Sequence, residues 1–177
     1  KKTLLTLTCI AMATSALAKE ISIPTARGEV TLAAPPAKIA VFDTGSLDTL
    51  QALGVKVDGA ADVGKILPYL KPTLEKAKNV GTIFEPNLEA LNELKPDLII
   101  VGTRTAKKFD DVSAIAKTID LTDNGDKLVE SGIQRIDSFG RLFDKQAAAD
   151  KLKGELETLL KDTKAAVKDK GNGLIIL

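Results

Sequence analysis

The chain has 177 residues, 44% hydrophobic and 28% charged, with a net charge of +1 at pH 7. That suffices for a domain around an apolar core, and the near-neutral charge excludes bulk electrostatic binding to nucleic acid or anionic membrane. There is no histidine, and Cys9 is the only cysteine. Cys/His zinc sites, histidine-based triads and internal disulfides are therefore excluded, so any metal must have oxygen ligands or arrive already chelated.

Residues 1–18 predict a secretory signal peptide. Lys1 and Lys2 precede an apolar stretch, and Ala16-Leu17-Ala18 is a small-x-small cleavage site. The apolar stretch is shorter than the ~20 residues that a membrane span needs. We therefore expect a mature protein that begins at Lys19 or Glu20 and lies outside the cytoplasm.

Residues 19–143 carry the pattern of an α/β domain. Alternating apolar residues in 20–34 predict an edge hairpin around Arg27-Gly28. Strands then alternate with helices, which predicts a mostly parallel sheet flanked by helices. The predicted strands are 39–42, 55–61, 80–84 and a central strand at 98–101. The predicted helices are 47–53, 73–78, one opened by 85–87, and one that carries Phe109, Val112, Ile115 and Ile119.

Two longer helices are predicted next. The first spans 128–143, and Asp144 is expected to cap the second, which spans 144–168 and carries an apolar stripe at helical spacing. Residues 171–177 predict a turn and a buried strand, which we interpret as the first strand of a second lobe. The inward residues of the first helix are Ile133, Ile136 and Phe139, and the stripe of the second is Leu152, Leu156, Leu159, Thr163 and Val167.

Candidate ligand-facing residues follow two of the predicted strands, because ligands in open α/β sheets bind beyond the carboxyl ends of strands. Asp43-Thr44-Gly45-Ser46 is an amide-rich helix start that can hold an anion, or Ser46 simply caps the helix. Thr103-Arg104 follows the strand at 98–101. From the residues alone, Arg104 is either a ligand-facing guanidinium or a solvated loop arginine.

One motif gives a family resemblance. The segment 87–100, from Asn87-Leu88-Glu89 to Lys95-Pro96-Asp97 and its aliphatic run, resembles the periplasmic binding proteins of iron–siderophore and vitamin B12 importers. Leu67-Pro68-Tyr69-Leu70 and 102–109 are most similar to the ferric-catecholate branch. The resemblance covers about 39–177 and includes none of the family's second lobe. It implies that the helix at 144–168 is the long, rigid connection between the two lobes. It implies a monomeric, non-catalytic periplasmic protein that carries a ferric siderophore to an ABC-type permease of the inner membrane.

The resemblance also implies roles for individual residues. Arg104 aligns with the first-lobe arginine of the catecholate branch, and its fork of donors suits the oxygens of a trianionic ferric tris-catecholate. The iron arrives with six oxygen ligands, so no directly bound cofactor or metal site is expected. Thr103, Lys107, Tyr69 and Gly45 are further ligand-binding candidates.

Several alternatives stay open. Lys107 is equally well a solvated lysine, and Tyr69 and Phe84 either line a pocket or pack as apolar residues. Glu75 is either a permease-docking residue or an ordinary exposed glutamate. The ligand is alternatively a hydroxamate siderophore, heme or cobalamin. A secreted α/β enzyme such as a hydrolase is the alternative of another class, and the sequence lacks G-x-S-x-G, P-loop and G-x-G-x-x-G motifs.

Overall fold

The computed structural model describes residues 20–64 and 67–171 of the chain. The predicted signal peptide lies outside the described residues, and so does the predicted final strand beyond residue 171. The described part is an α/β domain in which helices flank a parallel sheet. The prediction of this fold class is confirmed.

Within the described residues, two strands form an antiparallel hairpin and five form a parallel sheet. The hairpin strands are β1 (Ile21–Thr25) and β2 (Gly28–Leu32). The sheet strands are β3 (Ile39–Val41), β4 (Gly59–Asp62), β5 (Lys78–Thr82), β6 (Leu98–Val101) and β7 (Thr118–Asp120). Their order is β5-β4-β3-β6-β7. The middle position therefore belongs to β3, and the prediction that 98–101 is the central strand is wrong by one place.

The helices are α1 (Thr44–Ala52), α2 (Lys71–Leu74), α3 (Leu88–Leu94), α4 (Phe109–Ser113), α5 (Leu128–Leu142) and α6 (Gln146–Val167). Short 3-10 turns span Pro68–Leu70, Ala106–Lys108 and Gly125–Lys127. Each crossover between parallel strands carries a helix or turn, as parallel pairing requires.

The core lies on both faces of the sheet because β6 is apolar at every position and fully buried. Leu98 and Ile100 pack on one face, in a cluster with residues of α1 and α5. Ile99 and Val101 pack on the other face, with residues of α3 and α4. The domain therefore has three layers, and its loops meet at the two edges where strands end.

The start of α1 differs from the alternative in which Ser46 caps it. The helix begins at Thr44, and Asp43 is its N-cap, with Asp43 Oδ2 accepting a hydrogen bond from Ser46 N at 2.7 Å. Ser46 is buried inside the first turn. The capping role belongs to Asp43 because the helix begins at Thr44, three residues before its predicted start at residue 47.

The helix predicted to carry Ile119 is also shorter than expected. α4 ends at Ser113, and Ile119 is a buried residue of β7. The spacing of Val112, Ile115 and Ile119 imitates a helical stripe although a turn separates them. β7 was missed because three residues are too few to show strand alternation.

Asp144 ends α5 and does not cap α6, so that prediction is wrong. Its backbone is left-handed, with φ of 54°, and Lys145 N donates to Gly140 O at 2.7 Å. This six-residue closure is the Schellman way of terminating a helix. Lys145 occupies the N-cap position of α6 without a side-chain hydrogen bond.

α6 has 22 residues and is therefore about 33 Å long. Its first half packs on the domain, where Ala149 is buried and Leu152 and Leu156 join the core. Its second half does not, since Leu159 is 64% and Val167 57% exposed. None of the helices in 20–64 and 67–171 is long and apolar enough to cross a membrane.

Candidate ligand cleft

The carboxyl ends of β3 and β6 and the loop after β5 enclose an open cleft of about 770 Å³. This edge is where a parallel sheet is expected to bind a ligand. The cleft is lined by Phe42, Asp43, Thr44, Ile83, Phe84, Thr103, Arg104, Lys107 and Lys108. Its lining thus combines three cations, two aromatic rings and one carboxylate, that of Asp43.

A buried threonine joins the loops around this cleft. Thr105 Oγ1 donates its one proton to Ile83 O at 2.5 Å, in the chain after β5, and Phe42 O, just after β3, is a second acceptor at 3.3 Å. Gly102 approaches Asp43 so closely that an added Cβ would lie 2.6 Å from Asp43 Oδ1. The rim is therefore fixed by internal contacts. Sequence reasoning missed Thr105, because nothing in the pattern separates it from an exposed loop threonine.

Arg104 lies at the cleft as its position after β6 predicts. Its side chain is exposed, and Cζ lies 5.4 Å from the centre of the Phe84 ring, within range of a cation–π contact. Phe84 is itself 59% exposed. Arg104 forms no salt bridge with any described residue, so its guanidinium remains free to donate to a ligand.

Thr103 and Lys107 also line the cleft, and both are exposed. Lys107 lies on the turn Ala106–Lys108, which places it on the same rim as Arg104. Within residues 20–64 and 67–171, Lys107 has no salt-bridge partner. The structure therefore brings three of the predicted ligand-binding residues together: Thr103, Arg104 and Lys107.

Lys108 is a further cation of the cleft, and sequence reasoning missed it. Its Nζ lies 2.9 Å from Glu85 Oε1. This hydrogen bond raises the pKa of the Lys108 ammonium above its ordinary value, and the charge of Glu85 adds to the effect. The pairing could not be predicted because the two residues come from different loops.

Tyr69 and Gly45 are not among the residues that line the cleft. Tyr69 is 52% exposed on the turn Pro68–Leu70, and its carbonyl accepts a hydrogen bond from Gln51 Nε2 at 2.9 Å. Gly45 faces Arg135, since a Cβ on Gly45 would lie 2.6 Å from Arg135 Nη1. A ligand role for either residue stays a prediction.

Two other arginines near this edge are bound to carboxylates. Arg27 Nε lies 3.0 Å from Asp120 Oδ2, and its guanidinium stacks 4.0 Å from the centre of the Phe109 ring. Arg135, whose side chain is 9% exposed, pairs with Asp123. Both therefore stabilise the loop after β7, unlike Arg104.

Glu75, the candidate docking residue, is exposed at the end of α2, 3.6 Å from Lys71 Nζ. No group of three or more acidic, histidine or cysteine side chains within the described ranges could hold a metal ion. The cleft offers cations and hydrogen-bond donors beside the carboxylate of Asp43, and these cations can recognise anions or oxygen-rich ligands.

Residues 39–177 match the family model of the periplasmic binding proteins. The chain belongs to this family. The match begins at β3 and includes every residue of the cleft. Family membership also settles the class, since this is a family of binding proteins and not of enzymes. The hydrolase alternative is thereby removed.

Similar proteins carry iron-related names. The chain is 39% identical over 148 residues to the petrobactin-binding protein YclQ of Bacillus subtilis, which covers 80% of this chain and 46% of YclQ. It is 25% identical over 160 residues to the ferric-anguibactin-binding protein FatB of Vibrio anguillarum, covering 85% of this chain and 48% of FatB. The chain spans under half the length of these curated relatives.

Solved structures agree with this relationship. The crystal structure of YclQ superposes with a TM-score of 0.79 at 30% identity, covering 88% of this chain and 56% of YclQ. The periplasmic catecholate-siderophore binding protein VctP of Vibrio cholerae superposes with a TM-score of 0.78 at 27% identity, covering 86% and 55%. The fold and the family are therefore shown together.

Proposed function

We propose that this protein captures a ferric siderophore, of the catecholate class, and delivers it to an ABC-type importer of the inner membrane. The observation that carries the proposal is the pair of cations, Arg104 and Lys107, which face the cleft without a carboxylate partner among the described residues. Unpaired cations on a fixed rim suit a ligand that is itself anionic.

The chemistry of a ferric tris-catecholate supports the choice of class. Such a complex is trianionic, and six oxygen atoms already surround the iron. The protein therefore needs fixed donors and positive charge, which the cleft supplies, and needs no metal ligands of its own. A neutral ferric hydroxamate gains less from Arg104 and Lys107, because it has no net charge to attract them.

The similar proteins support the broader statement that the ligand is an iron–siderophore complex. The names of YclQ, FatB and VctP each refer to a siderophore or its iron complex. Their names refer to different siderophores, so the family relationship favours iron chelates as a group. The choice of the catecholate class depends on the charges of the cleft. The ligand of this protein is an inference from these two lines taken together.

The rest of the family architecture is part of the same proposal. We infer that α6 is the rigid helix that joins this lobe to a second one, because its outer half exposes Leu159 and Val167. We also infer export with removal of the signal peptide, so that the mature protein begins at Lys19 or Glu20, and docking of the permease through Glu75. Glu75→Lys should abolish uptake while leaving ligand binding intact, and unimpaired uptake would remove the docking role.

The test is a binding panel on the complete protein. Isothermal titration with a ferric tris-catecholate, a ferric hydroxamate, ferric citrate, heme and cobalamin should give the tightest binding to the catecholate. Tighter binding to the hydroxamate or to citrate would keep the iron-chelate function and overturn the catecholate class. Binding of heme or cobalamin alone would overturn the siderophore function.

A further inference from the structure

The three cations of the cleft are in two different states. Arg104 and Lys107 have no carboxylate partner among the described residues, whereas Lys108 is bonded to Glu85 at 2.9 Å. Glu85 adjoins Phe84, which lines the same cleft. The carboxylate of Glu85 is thus already bonded to one of the cations that an anionic ligand would meet.

Both partners of this pair stand on fixed backbone. Glu85 N donates to Thr82 Oγ1 at 3.0 Å, and Glu85 O accepts from Thr82 N at 2.9 Å, which closes a tight turn. Lys108 N donates to Thr105 O at 2.9 Å. The pair can therefore open by side-chain rotation alone, without any change in the rim.

The pair is also weak enough to be opened. The Glu85 side chain is 73% exposed and that of Lys108 is 34% exposed. Exposed ion pairs contribute little to stability, because water screens them and two long side chains must be held in place. A ligand that carries several negative charges attracts Lys108 more strongly than one carboxylate does.

We propose that Glu85 is an internal competitor for Lys108, and that an anionic ligand displaces it and takes Lys108 as a third cationic contact. This inference rests on the proposed function, since it needs an anionic chelate in the cleft. It assigns Lys108 and Glu85 to ligand selection: the competitor must be displaced, which a highly charged chelate does more readily than a neutral one.

The chain offers a matched control for removing the carboxylate. Glu93 pairs with Lys78 at 2.5 Å, and its side chain is 72% exposed, close to the value for Glu85. Lys78 begins β5, so this second pair lies at the amino edge of the sheet, away from the cleft. Glu85→Gln and Glu93→Gln therefore remove the same charge from the same kind of pair at opposite edges.

The experiment titrates the complete protein with a ferric tris-catecholate at low salt. Glu85→Gln should raise the affinity by about two- to fivefold, because a nearby repulsive charge and a competitor are both removed. Glu93→Gln should leave it unchanged. Equal affinities for the two variants would overturn the role of Glu85.

Lys108→Gln then tests whether Lys108 itself becomes a contact. The fold-loss of affinity caused by Lys108→Gln should be about twice as large or more in Glu85→Gln as in the otherwise wild-type protein. Lys108 is free to bind the ligand once Glu85 no longer carries a charge. An equal cost in both backgrounds would mean that Glu85 acts only by repulsion and would overturn the displacement. If the wild type binds no anionic chelate at all, the proposed function fails and this inference fails with it.

Discussion

Two of the three cleft cations, Arg104 and Lys107, contrast with the paired cations of α5 and α6. On α5 and α6, Asp137 accepts hydrogen bonds from Arg141 at 3.1 Å and from Lys153 at 2.9 Å, and Arg135 pairs with Asp123. In the cleft, Arg104 faces an aromatic ring and Lys107 faces solvent. The difference teaches that charges matched within the chain hold the fold, and that the unmatched ones are available to a ligand. The two sets of residues should accordingly respond to different measurements.

The largest expected effect comes from Arg104→Ala. A hydrogen bond to a charged group contributes about 1.5–3 kcal/mol, so affinity for a ferric tris-catecholate should fall roughly ten- to a hundredfold. The melting temperature should hardly change, because Arg104 makes no salt bridge within the described residues. Isothermal titration and thermal melting of the complete protein measure the two quantities separately.

Two controls sharpen that result. Arg104→Lys should recover only part of the affinity, because an ammonium cannot reproduce the fork of the guanidinium. Added salt should weaken the wild type more than Arg104→Ala, since the variant has one screened attraction fewer. Equal affinities of wild type and Arg104→Ala at two salt concentrations would return Arg104 to the role of a solvated loop residue.

Arg135→Met should give the reverse pattern. This change keeps the apolar stem and removes the partner of Asp123 and of the Leu121 carbonyl, so stability should fall by about 1–3 kcal/mol. Urea denaturation measures the loss. Affinity per folded molecule should stay within about twofold of the wild type. A large loss of affinity with unchanged stability would show that Arg135 belongs with the ligand-facing cations.

A smaller effect, on folding stability, is expected when the pH is lowered. The hydrogen bond from Lys153 lowers the pKa of Asp137 below its ordinary value of about 4, although partial burial opposes this. The resulting stability is fully present above the unfolded pKa and is lost as pH falls through the lower folded pKa. Because Asp137 is 37% exposed, we expect only about 0.5–1 kcal/mol.

Asp137→Asn tests this by difference. The stability gap between wild type and variant should be constant at neutral pH and should close below about pH 4. Urea titrations at a series of pH values supply the curve. A gap that does not depend on pH would assign the role of Asp137 to its neutral hydrogen bonds.

The smallest effect is expected from Phe84→Leu. Loss of the ring beneath Arg104 removes a contact of about 0.5–1 kcal/mol at an exposed site, so affinity should fall about two- to fivefold. Phe84→Tyr keeps the ring face and should bind like the wild type. If Leu and Tyr behave alike, the ring does not position Arg104.

The sequence was informative where one short segment determines the outcome. The aliphatic run of β6 predicts a strand buried on both faces, and the position of Arg104 after it predicts the cleft edge. The sequence was uninformative where a contact depends on how distant segments come together. The pairing of Lys108 with Glu85 depends on how two loops meet, and no local pattern records it. The prediction that Asp144 caps α6 failed for a related reason, since an aspartate between two helices can end one or begin the next.

The hydrogen bond made by the Thr105 hydroxyl has a consequence for the rate of ligand association. Because this hydroxyl donates to Ile83 O and lies against Phe42 O, the loop after β6 is held to the chain after β5, and this side of the cleft has little to rearrange when a ligand arrives. A rim that is already ordered avoids the entropy loss of fixing loops on binding. We therefore expect related chelates to associate at similar rates, with discrimination between them arising from how long each remains bound. Thr105→Val, which removes the hydroxyl donor, should slow association.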